Sequence, residues 1–413
     1  MAREKIIIGL DIGTCNITVV VAQLKEGSLN PQILGVGRVA SGGLRKGVVV
    51  DIDETVKNIK EAAAIAERIS ALKVEQAFVN IGGSHITCKS SRGVIAVSRA
   101  DGEISQEDKE RAINAASAIS LAPNREILHI LPRRFTVDNQ DSIKEPVGMQ
   151  GVRLEVDALL VEGATPFIKN LIKCIHEADI YEQGLLLAPL AASRAVLSKR
   201  QKELGVLLLD LGGGTTGFSV FEEGDIVHCC ILPVGGMHIT NDIAIGLRTS
   251  VDVAEKVKLE FGSVSPAEIG KKETIDLARL GGEEGQVARH HAAEIIEARV
   301  SEILDMVNKE LKRIDRAGLL PAGVVLVGGG AKLPGLVELA KEKLKLPVQI
   351  GRPQNFEGIA DQVDDPSFAT ACGLILSALT DEMRPEPPRG GSSFSSAGQA
   401  FKKFIKWVKG FMP

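Results

Sequence analysis

One short pattern occurs twice in this chain, and it constrains the fold more than any other feature. Leu10-Asp11-Ile12-Gly13-Thr14 and Leu209-Asp210-Leu211-Gly212-Gly213-Gly214-Thr215 each end a run of buried-strand character, from Lys5 and from Val206. A second apolar strand follows each turn, Ile17 to Ala22 and Phe218 to Phe221, so each unit predicts a hairpin with a polar tip. Two such hairpins roughly two hundred residues apart predict an internal duplication of two α/β halves. A chain of 413 residues has room for both, since single cores stop growing at about 250–300 residues.

The pattern carries chemistry as well as shape. An Asp closing a buried strand before a Gly/Thr turn sets a carboxylate and several backbone N–H groups at one rim, where glycines admit phosphate oxygens closely and Thr14, Thr215 and Thr216 add hydroxyl donors. Asp11 and Asp210 then suit a Mg²⁺ held through water, which neutralises a polyphosphate. Either turn alone is as well explained as a plain strand connection. Two copies, joined by a third Gly-rich turn after the strand Gly323 to Val327, point to a nucleotide. That third turn, Gly328-Gly329-Gly330, suits a base or ribose lying flat against backbone. No Gly-x-x-x-x-Gly-Lys-Ser/Thr is present, which excludes a P-loop.

Between the turns, 53 to 72 has helical periodicity and precedes a strand, Gln76 to Ile81. The block from Ser84 to Glu162 alternates strand segments around one helix opened by Ser105-Gln106-Glu107-Asp108, and reads as an inserted α+β subdomain. Helices are expected over 167 to 178 and 191 to 197, with a strand from Gly184 to Pro189. After Pro233 the stretches 240 to 246, 251 to 261 and 288 to 314 are helical, and Ala369 to Leu379 is a last apolar helix. The sequence Asp381 to Ser393, rich in Pro, Gly and charge, is expected to be a flexible linker.

The distribution of aromatics bears on partners. They make up only 3% of the chain, with one Trp, which removes the stacking platforms of single-strand nucleic-acid binders. A net charge of −4 removes the basic stripe that a duplex binder needs. Phe401, Phe404, Trp407 and Phe411 gather in the last residues instead. At about 100° per residue, Phe401, Phe404, Ile405 and Val408 share a face with Trp407 and Phe411 at its edge, and Lys402, Lys403, Lys406 and Lys409 fall opposite. Such a basic amphipathic helix suits an anionic headgroup layer. Partial burial of side chains worth ~1.5–3 kcal/mol each when fully buried, with ~1 kcal/mol per Lys near an anionic surface, suffices for reversible binding. The plainer alternative is a helix docked on the protein's own core. The Met-Ala-Arg-Glu-Lys start is too short and acidic for a signal peptide, and no apolar run approaches the roughly 18–20 residues of a spanning helix. The six cysteines show no Cys-x-x-Cys spacing and no nearby His pair, so neither a zinc site nor a disulfide framework is expected, and a reducing compartment fits best.

The order Asp-x-Gly-Thr, connecting helix, Asp-x-Gly-Gly-Gly-Thr, then Gly-Gly-Gly-x-x-x-x-x-Gly resembles the actin, DnaK-chaperone and sugar-kinase superfamily. Within it the match is closest to the FtsA family of cell division, over essentially the whole chain. Supporting stretches are Asn80 to Ile86, Pro146 to Leu154 and Gly235-Gly236-Met237-His238-Ile239-Thr240-Asn241-Asp242. The resemblance implies an α/β, actin-like two-lobed ATPase fold with an FtsA-type insert, ATP with Mg²⁺ in the cleft and a C-terminal membrane-targeting helix. The implied division is 1–83 and 163–203 for the first lobe, 84–162 for the insert and 204–357 for the second lobe. A closing helix at 358–380, a linker at 381–397 and the amphipathic helix at 398–413 complete it.

The candidate nucleotide contacts are Gly13, Thr14, Cys15, Asn16, Gly212, Gly213, Gly214, Thr215, Thr216, Gly328, Gly329 and Gly330. By resemblance Gly235 and Gly236 lie near the phosphates, while Glu255 and Lys258 contact the nucleoside; without it, those two read as a solvated helix face. The resemblance also implies that Arg289 and Arg299 bind the C-terminal peptide of FtsZ, although exposed arginines on an amphipathic helix explain them equally well. It implies self-assembly, contact with other divisome proteins, and a peripheral place on the cytoplasmic face of the membrane at the septum. One departure stands out. Hydrolytic relatives begin the connecting helix with a residue that orients water, and here Leu187-Ala188-Pro189 offers Ala188. Losing such a group removes a contribution of ~10²–10⁴-fold, so slow or negligible turnover is expected. A pilus-assembly protein or a small-molecule kinase of the same fold is the competing expectation.

Overall fold

The computed structural model describes residues 5–28 and 30–379. The expected linker and amphipathic helix, with Phe401, Lys402, Lys403, Phe404, Ile405, Lys406, Trp407, Val408, Lys409 and Phe411, lie outside them.

The duplication is visible in strand order. One sheet runs Tyr181–Leu187, Gln76–Ile81, Lys5–Ile12, Asn16–Leu24, Gln32–Ala40 and Glu357–Gly358. The other runs Val348–Ile350, Val324–Val327, Val206–Leu211, Thr216–Glu222 and Asp225–Leu232. In each, a hairpin plus a third antiparallel strand is flanked by two parallel strands. The central strands are apolar up to the Asp near the end of each, as strands covered on both faces must be. Short Glu357–Gly358 returns from the second half to pair with Gln32 and Ile33 in the first sheet.

The halves differ in what interrupts them. The first has helix Ile52–Ser70 between its third and fourth strands, capped by Asp51, which accepts from Glu54 N. At that point in the second half comes a helical run, Gly236–Leu247, Val251–Phe261 and Arg289–Arg313. Between the fourth and fifth strands the first half carries the insert, in which Thr87–Ala96, Arg153–Ala164, Arg125–Val137 and Gln140–Ile143 form a separate antiparallel sheet. Helix Gln106–Ser117 covers one face with its own buried cluster. Ser105 and Asp108 close a reciprocal capping box there.

Two helices join the halves, Ala188–Val196 and Ala369–Leu379. The first begins three residues earlier than its periodicity indicates, because Pro189 occupies the first turn, where its missing N–H costs nothing. They cross tightly: a Cβ on Gly373 would lie 1.8 Å from Ala191 O. No backbone could approach that closely past a side chain. No helix among the described residues is long and apolar enough to cross a membrane.

Candidate functional site

Both hairpin tips emerge at one cleft. Asp11 pairs across its hairpin with Thr18, and Asp210 with Gly217. Gly13 and Gly212 hold equivalent places, since a Cβ on either would stand 2.9 Å from a turn carbonyl, that of Asn16 or of Thr215. The tips touch. A Cβ on Gly213 would meet Cys15 Sγ, and one on Gly214 would meet the Thr14 hydroxyl at 2.5 Å. Thr14 Oγ1 also accepts from Gly47 N at 3.0 Å. Asn16 begins the second strand, and Thr216, fully buried, donates to Val234 O at 2.8 Å. The Thr216 hydroxyl therefore serves the fold rather than facing the cleft.

The two carboxylates see one another across this gap. Burial, with the facing charge of Asp210, raises Asp11 to about 7, against the pull of Arg38. Burial raises Asp210 to about 6, moderated by a hydrogen bond from Thr370. Two recessed carboxyl groups that resist ionising side by side are a natural seat for a divalent cation, whose charge reverses both shifts. The donor set is all oxygen, as Mg²⁺ requires.

Backbone surrounds the second turn. Gly236 N and Met237 N donate to Gly212 O and Gly213 O at 2.9 and 2.8 Å, docking the start of helix Gly236–Leu247 on the turn. A Cβ on Gly235 would fall within 2.6 to 2.9 Å of Gly212 O, Gly213 O and Thr215 N. Lys258 reaches over the same place, donating to Gly236 O, Thr240 Oγ1 and Glu255 Oε2 at 3.2, 2.8 and 2.7 Å. Its side chain is only 11% exposed, so the solvated-face reading fails for Lys258, and Glu255 is its ion-pair partner. Gly328, at φ 82°, packs against Asp210, and Gly330 against Leu211. Gly329 between them faces open space. The three turns and the Glu255–Lys258 pair thus line one cleft.

Several residues of this site escape motif reading. Asn80 accepts from Ile12 N at 2.8 Å and donates to Asp11 Oδ1 at 2.6 Å, so it fixes both the turn and its carboxylate. Its signal was a polar residue near the end of a buried strand just before Gly82-Gly83. Arg38 and Thr370 have no such signal, because only the fold brings them to Asp11 and Asp210. Ala188 opens the connecting helix beside Gly82. The N–H of Leu187 before it donates to Nε2 of His129, a buried histidine of the insert, at 3.1 Å. Burial lowers His129 to about 3, so the ring stays neutral and can accept.

Arg289 and Arg299 lie on helix Arg289–Arg313, and both are engaged. Arg289 pairs with Glu273 at 2.7 Å and donates to Phe261 O; Arg299 forms a two-pronged pair with Asp242 and contacts Glu302.

Comparison with known proteins agrees with this architecture. The family model "Cell division protein FtsA" matches residues 207–373, and "SHS2 domain inserted in FTSA" matches 83–162. The cell division protein FtsA of Bacillus subtilis is 41% identical over 91% of this chain and 84% of its own. That of Pseudomonas aeruginosa is 37% identical over 98% of both. Among solved structures, a PilM-PilN type IV pilus biogenesis complex superposes with a TM-score of 0.65 at 17% identity, covering 90% of this chain and 97% of that one. MreB5 of Spiroplasma citri bound to ADP superposes at 0.50 with 15% identity, covering 90% and 94%. At those identities the likeness concerns the fold, which is actin-like.

Proposed function

The chain belongs to the FtsA family of cell division proteins, and from that premise we propose that it is an ATP-binding, actin-like adaptor that self-assembles and tethers FtsZ polymers to the cytoplasmic membrane at the septum. The observation that carries the nucleotide part is the meeting of three Gly-rich turns around two facing carboxylates. In this reading Asp11 and Asp210 hold Mg²⁺ through water. Gly13, Thr14, Cys15, Asn16, Gly212, Gly213, Gly214 and Thr215 surround the phosphates with Gly235 and Gly236 behind them. Gly328, Gly329 and Gly330 flank the nucleoside, with Lys258 and Glu255 opposite. The bound cation supplies charge neutralisation; the chain supplies orientation and closely approaching backbone.

Ala188 supports a conformational rather than a catalytic use of ATP, because no side chain at that position can orient water. Residues 398–413 are the proposed membrane anchor, on the strength of their sequence pattern alone, after a linker at 381–397. Binding of the FtsZ C-terminal peptide by Arg289 and Arg299 would require exchange of their present partners Glu273 and Asp242 for acidic groups of the peptide. The division 1–83, 84–162, 163–203, 204–357 and 358–380 accompanies this reading, together with contacts to further divisome proteins. The matched insert at 83–162 favours it over a pilus-assembly role.

Reconstitution tests the whole. Liposomes should recruit FtsZ only when this protein, ATP and residues 398–413 are all present, and Asp210→Ala should weaken ATP binding. FtsZ recruitment by the truncated chain would refute the anchor. A brisk steady-state ATPase abolished by Asp210→Ala would refute the non-catalytic role.

A further inference from the structure

On the far side of the second sheet lies a cluster that the nucleotide cleft does not use. His228 and Cys230 stand two residues apart on edge strand Asp225–Leu232, so both side chains leave the same face. That face packs on the cluster containing helix Arg289–Arg313, whereas Cys229, pointing the other way, joins the cluster between the lobes. Glu310 of that helix comes to meet the pair. A ring nitrogen of His228, Cys230 Sγ and a Glu310 carboxylate oxygen all lie within 4.8 Å of one another. Among the described residues no other group of three such donors converges in this way.

A second observation concerns the imidazole. His228 is 5% exposed, and its Nε2, aimed at Glu310 across 3.6 Å, has no hydrogen-bond partner. A buried polar nitrogen in that condition is costly.

We propose that His228 Nε2, Cys230 Sγ and Glu310 Oε2 form a binding site for Zn²⁺. Nitrogen, sulfur and oxygen donors together select a borderline-soft ion over Mg²⁺ or Ca²⁺. Cys230 and Glu310 are only partly buried, which leaves a fourth position for water. On binding, the Cys230 thiol releases its proton to solvent. Arg313 pairs with the Glu310 carboxylate at 2.9 Å, but its side chain is 62% exposed and can turn out to water as the ion enters. The edge strand also meets the insert, through Arg133 Nη1 to Val227 O at 2.9 Å. The ion would therefore clip a strand that touches the insert to the helix that carries Arg289 and Arg299.

The test uses the full chain stripped of metal, with Zn²⁺ titrated against a chromophoric chelator and Co²⁺ as a spectroscopic probe. Cys230→Ser and His228→Ala should each weaken Zn²⁺ binding at least tenfold. Co²⁺ should give a sulfur-to-metal charge-transfer band that is lost in Cys230→Ser and kept in Cys15→Ser, which separates this site from the nucleotide cleft. Zn²⁺ affinity unchanged in Cys230→Ser, or Co²⁺ bound without a thiolate band, would overturn the proposal. Should either core variant fail to fold by circular dichroism, Glu310→Gln, at the partly exposed corner, carries the test: a tenfold loss supports the site and an unchanged affinity overturns it.

Discussion

The two hairpin tips share a backbone and differ in what holds it. At the first, side chains do the work: Asn80 bridges Asp11 to Ile12 N, and Arg38 faces the same carboxylate. At the second, backbone is packed on backbone, with Gly235 against two turn carbonyls and Gly328 against Leu211 O. The matching position sharpens the contrast. Asn80 stands one step past the Leu10–Val79 pair of the first sheet, the place at which Val327 pairs with Asp210 in the second, and there Thr370 supplies the polar contact instead. Duplication has kept the strand order and the carboxylate while the support diverged. A turn held by side chains tolerates change one atom at a time, whereas a turn held by close backbone contact does not.

The strongest way to break this comparison is to add one methyl group at a glycine of the first turn and at one packed against the second. Gly328→Ala places a Cβ 2.3 Å from the Asp210 carboxylate on a backbone at φ 82°, and should cost about 3 kcal/mol of unfolding free energy or more. Gly13→Ala meets one carbonyl at 2.9 Å without the positive φ and should cost roughly half as much. Denaturant unfolding checks both. Equal losses would mean that the packing against the second tip is no tighter than the turn of the first.

How far the sequence discloses the site follows the same division. Glycine turns and the terminal Asp of each hairpin are legible, because a local backbone demand leaves a local signature. So is the inserted block, whose alternation and capping box are local too. Arg38, Thr370 and His129 are not legible, because they reach the cleft from other elements and nothing within their own segments marks them. The third strand of each sheet also escaped: Gln32–Ala40 carries two glycines, and Asp225–Leu232 hides its alternation behind two cysteines and a histidine. Lys258 shows the converse error, a charge that looked solvated until helix Gly236–Leu247 covered it.

A smaller effect separates the carboxylates. Asp11→Asn and Asp210→Asn should each lower Mg²⁺-dependent nucleotide affinity by roughly 10- to 100-fold, the scale of a charge-assisted contact worth about 1.5–3 kcal/mol. Titration calorimetry with and without Mg²⁺ measures this, and a loss that persists without Mg²⁺ would argue against cation seating. Asn80→Ala should cost about 1–2 kcal/mol of stability and carry part of the Asp11 loss with it. Val327→Ala, at the matching position, should cost stability by cavity formation and leave the Mg²⁺ dependence alone.

The smallest expected effect is the most discriminating, because it reads the two carboxylates through each other. Both have folded pKa values raised above the usual 3.8, to about 7 for Asp11 and about 6 for Asp210. Between those limits the unfolded chain binds fewer protons than the folded one, so without Mg²⁺ stability should fall as pH rises from about 4 to above 7. Mg²⁺ with nucleotide should flatten that slope, since the ion stabilises the ionised forms. Asp210→Asn removes one titrating group and also the facing charge that helps to raise Asp11, whereas Asp11 is not among the causes raising Asp210. Asp210→Asn should therefore reduce the slope twice over, once directly and once by letting Asp11 ionise at lower pH. Unfolding midpoints measured across this range in chelator decide it: a slope in Asp210→Asn that falls only by the share of Asp210's own titration, with the Asp11 part unchanged, would mean that the two tips do not sense each other across the cleft.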